Sequence, residues 1–269
     1  MHNPMCFDEA EAKSPESLGE GEEVTCDRLF GGALTLYQDR RGYRFSIDAV
    51  LLAGLTRVKA EDRIMELGTG CGVVLLAMAV QQAGRHWEGV EIQKRLASLA
   101  VRNVEANGLT NRVWIHCLDW NHVKKVFPPE GFDLVISNPP YRRLGSGRIN
   151  PDHQKAAARH EIFGTVQEMF QAASYLLKQS GRCAVIYPAS RLDDLIMGAL
   201  EAKLRPKQLT LIHSHCQAPA TLVHMECLKG AGQDLRVMPP FFIYDKTGRR
   251  YSPEMLRLHA GYRLDQEQN

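Results

Sequence analysis

From Arg63 onward, short apolar runs alternate with stretches whose apolar positions recur every three or four residues, the pattern of a mainly parallel sheet covered by helices on both faces. The runs Arg63–Leu67, His86–Glu91, Arg112–Leu118, Phe132–Ser137, Gly181–Tyr187, Gln208–His213 and Thr221–Leu228 read as strands, with helices near 72–83, 93–107, 162–178 and 190–203. The last two strands are separated by a loop containing Pro219 with no room for a crossover helix, so the final strand is expected to run antiparallel. Upstream, Ala33–Gln38, the turn Asp39–Gly42 and Tyr43–Phe45 have the order of a β-hairpin. Ser46 then stands as a cap before Ile47, Val50, Leu51 and Leu55, which share one face of a helix running to about Val58.

Composition adds a division of the chain. Residues 1–27 hold eight Asp/Glu and one Lys, with few large apolar side chains, and read as a disordered tail. The remainder then carries a positive excess of about nine charges, against +2 for the whole chain, which suits a nucleic-acid substrate without requiring one. The expected partition is a tail (1–27), a hairpin and helix (28–58), a main domain (59–245) and a C-terminal tail (246–269). No apolar stretch approaches the roughly 20 residues that span a bilayer, and no basic-then-apolar leader opens the chain, so a cytoplasmic protein is expected. Seven scattered cysteines, an odd number, fit reduced thiols.

Candidate chemistry gathers where the expected strands end. After the first comes Glu66-Leu67-Gly68-Thr69-Gly70-Cys71-Gly72, a turn whose glycines let the backbone approach a ligand and present N–H groups at a helix start. A dinucleotide loop needs Gly-x-Gly-x-x-Gly; here the third glycine falls one residue early and Val73 stands in its place, which points to a nucleoside cofactor without a pyrophosphate. Glu91, followed by Ile92, closes the second strand, where a carboxylate can accept from both ribose hydroxyls. Asp119 closes the third and is placed to accept from an adenine amino group; Trp120 either flanks that ring or packs in the core.

The fourth strand ends in Asn138-Pro139-Pro140-Tyr141. Two prolines fix two φ angles and supply no N–H, leaving a rigid edge that only accepts hydrogen bonds. The Asn138 side-chain oxygen and the Pro139 carbonyl suit the two protons of a planar NH2, and Tyr141 offers a stacking face. Such acceptors hold the amine while its lone pair turns toward an electrophilic methyl and stabilise the positive charge developing on nitrogen.

These features, with Tyr43–Ala53, Gly89–Gln93, Arg148-Ile149-Asn150-Pro151 and Ala158-Arg159-His160-Glu161, resemble the bacterial tRNA1(Val) (adenine-37 N6)-methyltransferase family over about residues 28–230. The resemblance implies a Rossmann-like class I methyltransferase fold, a seven-stranded mainly parallel α/β sheet with an antiparallel last strand, using S-adenosylmethionine to methylate N6 of an adenine in tRNA beside the anticodon. It assigns catalysis to Asn138 through Tyr141, and cofactor binding to Glu66, Gly68, Thr69, Gly70, Gly72, Glu91, Ile92, Asp119 and Trp120, with Asn138 at the border of both. Asp48 matches an acidic residue of an N-terminal helix that closes over the cofactor.

Asn-Pro-Pro-Tyr also occurs in enzymes that methylate a glutamine of release factors, and an amide nitrogen presents the same donor geometry. Those enzymes carry a helical recognition domain before the catalytic one, whereas only a hairpin and one helix are expected here. The segment after Tyr141 instead holds Arg142, Arg143, Arg148, Lys155, Arg159 and His160, a cation density suited to RNA phosphates. A non-catalytic RNA-binding module on the same fold is the third reading, and the intact Asn138, Glu91 and glycine loop argue against it. His213, His215, Cys216, His224 and Cys227 match no standard zinc spacing, and no metal is expected.

Overall fold

The computed structural model describes residues 24–40, 47–140 and 164–261. Strands β1 (Val24–Leu29) and β2 (Leu34–Asp39) form an antiparallel hairpin, followed by α1 (Ile47–Leu55). Then β3 (Arg63–Leu67), α2 (Val73–Gln81), β4 (His86–Glu91), α3 (Lys94–Ala106), β5 (Val113–Cys117) and β6 (Phe132–Ser137) alternate. After α4 (Val166–Leu176) come β7 (Leu177–Pro188), α5 (Leu192–Glu201), β8 (Leu204–His213) and β9 (Ala220–Lys229), and the described chain closes with β10 (Arg236–Val237), β11 (Phe241–Phe242) and α6 (Pro253–His259).

The main sheet runs β10-β8-β9-β7-β6-β3-β4-β5, with β11 also on β8. Strand β9 is antiparallel to both neighbours, β7 and β8, and the pairs β7–β6, β6–β3, β3–β4 and β4–β5 are parallel. One face buries α1, α2, α3 and α6, with Leu51, Leu52, Leu75, Leu76 and Leu258 in its core. The other buries α4 and α5 around Phe132, Met169, Phe170 and Leu195. A capping box starts α4: the Thr165 hydroxyl accepts from Glu168 N–H and the Glu168 carboxylate accepts from Thr165 N–H.

Several expectations change. Ala33–Gln38 pairs upstream with Val24–Leu29, through a reversal that uses Gly31 and Gly32, both at positive φ; Tyr43–Phe45, the partner expected for it, and the Ser46 cap lie outside the described residues. Residues 24–27 are therefore strand, although they fall in the acidic span read as tail; residues 1–23 lie outside the described structure. The sheet has nine strands rather than seven, because β10 and β11 continue the free edge of β8. The C-terminal boundary moves as well: Tyr244 bridges to Tyr251, and α6 buries Met255 and Leu258, with Leu258 filling the space beside Gly54.

His224 is buried, its Nε2 lies 3.0 Å from the Thr56 hydroxyl, and burial pushes it down to about 4. His213 bonds the Ala218 carbonyl at 2.8 Å. The six described cysteines are free, with Cys71, Cys183 and Cys227 buried.

Candidate active site

Strand register brings the expected site residues to one edge. Leu67 is level with Val90 on β4 and with Ser137 on β6, and Glu91 is level with Cys117 on β5. Gly68, Asn138, Glu91 and Asp119 therefore leave four adjacent strands at the same carboxyl edge, across about 14 Å at the usual strand spacing. The chain proceeds from β3 to β4 and β5 on one side, and to β6 and β7 on the other, so the crevice between β3 and β6 is the topological switch point. The Ser137 hydroxyl donates to the Leu67 carbonyl at 2.8 Å and locks those two strand ends together. Asn138 beside it is half-buried, Pro139 buried and Pro140 exposed.

The glycine loop is built by hydrogen bonds from both sides. Gly68 and Thr69 donate to the Val90 carbonyl at 2.9 and 3.0 Å, and Gly72 donates to the Thr69 carbonyl at 2.8 Å. Gly68, Gly70 and Gly72 have φ of 75°, 57° and 87°, a left-handed sequence closed to most side chains. At Gly72 a side chain would also meet Leu76 at 3.2 Å and Ala100 at 3.4 Å, whereas at Gly70 nothing lies within 4 Å. The outer face of the loop is thus open where a ligand approaches.

Glu66 and Thr69 brace the loop from beneath. The Glu66 carboxyl, 1% exposed, accepts from the Thr69 hydroxyl at 2.5 Å and from Leu75 N–H at 3.1 Å. Burial pushes Glu66 up to about 8, outweighing those two hydrogen bonds. Between the ordinary carboxylate pKa and that value the unfolded chain has lost a proton that the folded chain keeps, so stability falls as pH rises from about 4.5 to about 8, by about 1.4 kcal/mol per pH unit at most. Glu66→Gln removes this slope, and melting curves between pH 5 and 9 are expected to show the variant losing less Tm than the parent. His224 has the opposite sign: its folded pKa is lowered, so its contribution is lost as pH falls from 6.5 toward 4.

Glu91 spans the loop and the next helix. Its Oε2 accepts from Gly70 N–H and its Oε1 from Gln93 N–H, both at 2.9 Å, and burial raises its pKa in spite of them. Ile92, half-buried, follows it. Asp119 accepts from Asn121 N–H at 2.8 Å and so caps a short 3-10 turn. Trp120 is 6% exposed: a side chain on Gly68 would come within 3.1 Å of its ring, and one on Gly164 within 2.6 Å of its indole nitrogen. The indole therefore sits between the glycine loop and the start of α4. Asp48 is buried in the first turn of α1, which packs beside α2.

Tyr141, Arg142, Arg143, Arg148, Lys155, Arg159 and His160 lie outside the described residues. Four contributors were absent from the sequence reading. Asp39 and Arg95 form a bidentate ion pair, with Arg95 Nε 2.6 Å from Asp39 Oδ2, which fixes the end of the hairpin to the helix that follows Glu91. Asn103 on α3 and Asn107 at its C-cap, four residues apart, bond the backbone of β2. The i, i+4 spacing of two asparagines on an amphipathic helix was the available signal.

The methyltransferase small domain family matches residues 47–200, more than half of the chain and the whole of the crevice just described. A tRNA1(Val) (adenine(37)-N6)-methyltransferase of Porphyromonas gingivalis is 30% identical over 80% of this chain and 86% of its own length. This chain belongs to that methyltransferase family. The Bacteroides fragilis protein of the same name is 26% identical over 86% of this chain and 94% of its own. Among solved structures, a predicted O-methyltransferase from Agrobacterium tumefaciens superposes with a TM-score of 0.66 at 22% identity, covering 80% of this chain and 97% of that one, and supports the fold.

The family's cofactor is S-adenosylmethionine, and the crevice fits it: an open loop face at Gly70, a buried carboxylate at Glu91 and a polar strand end at Asp119 suit a cationic methionine moiety, a ribose and an adenine.

Proposed function

We propose that this chain transfers a methyl group to the exocyclic N6 of an adenine in tRNA, at the nucleotide beside the anticodon. The observation that carries the reading is the placement of Asn138-Pro139-Pro140 at the switch point, on the strand tied by Ser137 to the end of β3, next to the open glycine loop. S-adenosylmethionine supplies an electrophilic methyl on sulfur when bound. Gly68–Gly72 hold its methionine part, Glu91 its ribose hydroxyls and Asp119 its adenine amino group, with Ile92 and Trp120 flanking. Asp48, in the first turn of α1, closes over it.

Asn138 Oδ1 and the Pro139 carbonyl accept from the two N–H groups of the target amine. This orients its lone pair toward the methyl and stabilises the positive charge that grows on nitrogen. No base is needed before attack, because the amine becomes acidic only after it has been methylated. The adenine has to leave its stack to reach this edge, and Tyr141 supplies the face that receives it. Arg142, Arg143, Arg148, Lys155, Arg159 and His160 then serve the RNA backbone. The tRNA1(Val) specificity named for the relatives is taken as the substrate here, and the reaction is placed in the cytoplasm, where that tRNA is. Among the described residues no helix is long and apolar enough to cross a membrane.

Supplying methyl-labelled S-adenosylmethionine with either a tRNA1(Val) transcript or a release factor separates the readings. Label in the tRNA, recovered as N6-methyladenosine, is expected. Label in the release factor alone would replace the proposal with amide methylation, and cofactor binding with no transfer to either would leave a binding module.

A further inference from the structure

We infer that Asn103 is a positioning residue that couples the N-terminal hairpin to the cofactor loop. Asn103 is completely buried in the last turn of α3. Its Oδ1 accepts from Tyr37 N–H at 2.7 Å; its two amide protons go to the Tyr37 carbonyl at 3.0 Å and to the Cys71 carbonyl at 2.9 Å. Every donor of the side chain is used. One turn later, Asn107 repeats the first half of this pattern, accepting from Thr35 N–H at 2.9 Å and donating to the Thr35 carbonyl at 2.7 Å.

The two asparagines act as a third strand for β2. Four residues of helix rise about 6.0 Å and two residues of strand about 6.8 Å, so amides at i and i+4 fall level with alternate backbone units of the hairpin's outer edge. Only Asn103 reaches further. Cys71 lies between Gly70 and Gly72, both at positive φ, and the next N–H, of Gly72, donates to Thr69. With the Cys71 carbonyl held by Asn103 and the Gly72 N–H by Thr69, the peptide between them is fixed at both ends. The direction of the Gly70–Gly72 backbone is thus set partly by the hairpin, whose far end is anchored by Asp39 to Arg95, four residues after Glu91.

This inference rests on the glycine loop being the cofactor loop, and the experiment separates the two. Asn103→Ala and Asn107→Ala both remove a hairpin amide and are expected to lower Tm, but only Asn103→Ala releases Cys71. Asn103→Ala should raise the KM for S-adenosylmethionine about tenfold with kcat within twofold, while Asn107→Ala leaves that KM unchanged. Equal cofactor KM values in the two variants would overturn the proposal. Glu91→Ala run beside them checks the loop itself: if it too leaves the KM unchanged, the site assignment fails rather than the coupling. A measurement on the unaltered protein guards against misfolding. Coupling is reciprocal, so cofactor binding is expected to slow amide hydrogen exchange across 34–38 as well as 68–74, and unchanged exchange across 34–38 would equally refute it.

Discussion

Asn138→Ala is expected to reduce kcat by about 10²- to 10³-fold or more while the dissociation constant for S-adenosylmethionine stays within about threefold, as read by single-turnover assays and calorimetry. The asymmetry follows from what the side chain does. A neutral aromatic amine is a poor nucleophile, and its nitrogen turns positive only as the new bond forms. An acceptor held against that N–H is therefore worth more in the transition state than in the bound complex, and its loss appears in kcat. The neighbourhood keeps that acceptor still: Pro139 is buried and fixes φ, and Ser137 is tied to the Leu67 carbonyl at 2.8 Å. The anchors proposed for the cofactor follow β3, β4 and β5, so truncating Asn138 is expected to leave them in place. A collapse of cofactor affinity in this variant would show that Asn138 belongs to the cofactor rather than to the substrate amine.

Glu91→Ala should do the reverse, weakening cofactor binding about a hundredfold with a smaller effect on kcat at saturation. Its two carboxylate oxygens each hold a backbone N–H at 2.9 Å, Gly70 in the loop and Gln93 before α3, and the proposed function gives it the ribose hydroxyls as well. Removal leaves two part-buried backbone donors without their acceptor and, on the proposed reading, deletes the acceptors for the ribose hydroxyls at the same time. Glu91→Gln retains one oxygen and is expected to lose about tenfold. Burial raises the pKa of Glu91, so affinity should also fall as pH drops, at a pH above that of an ordinary carboxylate. Titration calorimetry at pH 5 and pH 8 checks both statements. Affinity equal to that of the parent in Glu91→Ala would remove this carboxylate from the site.

Why some of this was legible in the sequence and some was not has a physical basis. The boundaries of β3, β4 and β6 coincide with the apolar runs because each of these strands is buried on both faces and ends abruptly at a glycine or a polar residue. The glycine loop was readable because its φ values exclude other residues. Strand β1 was not, because Val24–Leu29 is half-polar and sits beside Glu20, Glu22 and Glu23, so composition pointed to a tail. Helix α6 was missed because two residues, Met255 and Leu258, carry its buried face. Asn103 was harder to find: it is fully buried on the apolar face of α3, one turn before Asn107, and its partners lie 66 and 32 residues away.

Glu88 is a reminder that a buried charge cluster is not a site by itself. It accepts from His86 and His116, both at 2.7 Å. Burial alone would raise its pKa, and the two histidines together outweigh that and lower it. The cluster joins β4 to β5, with His86 stacked on Trp114.

The central claim is that the Asn138 edge methylates an adenine in tRNA. Mass spectrometry of tRNA1(Val) purified from cells with and without this protein tests it most directly. Loss of one methyl from the adenosine 3′ to the anticodon, restored by the parent chain and not by Asn138→Ala, is the predicted result; an unchanged N6-methyladenosine content in that tRNA would contradict it.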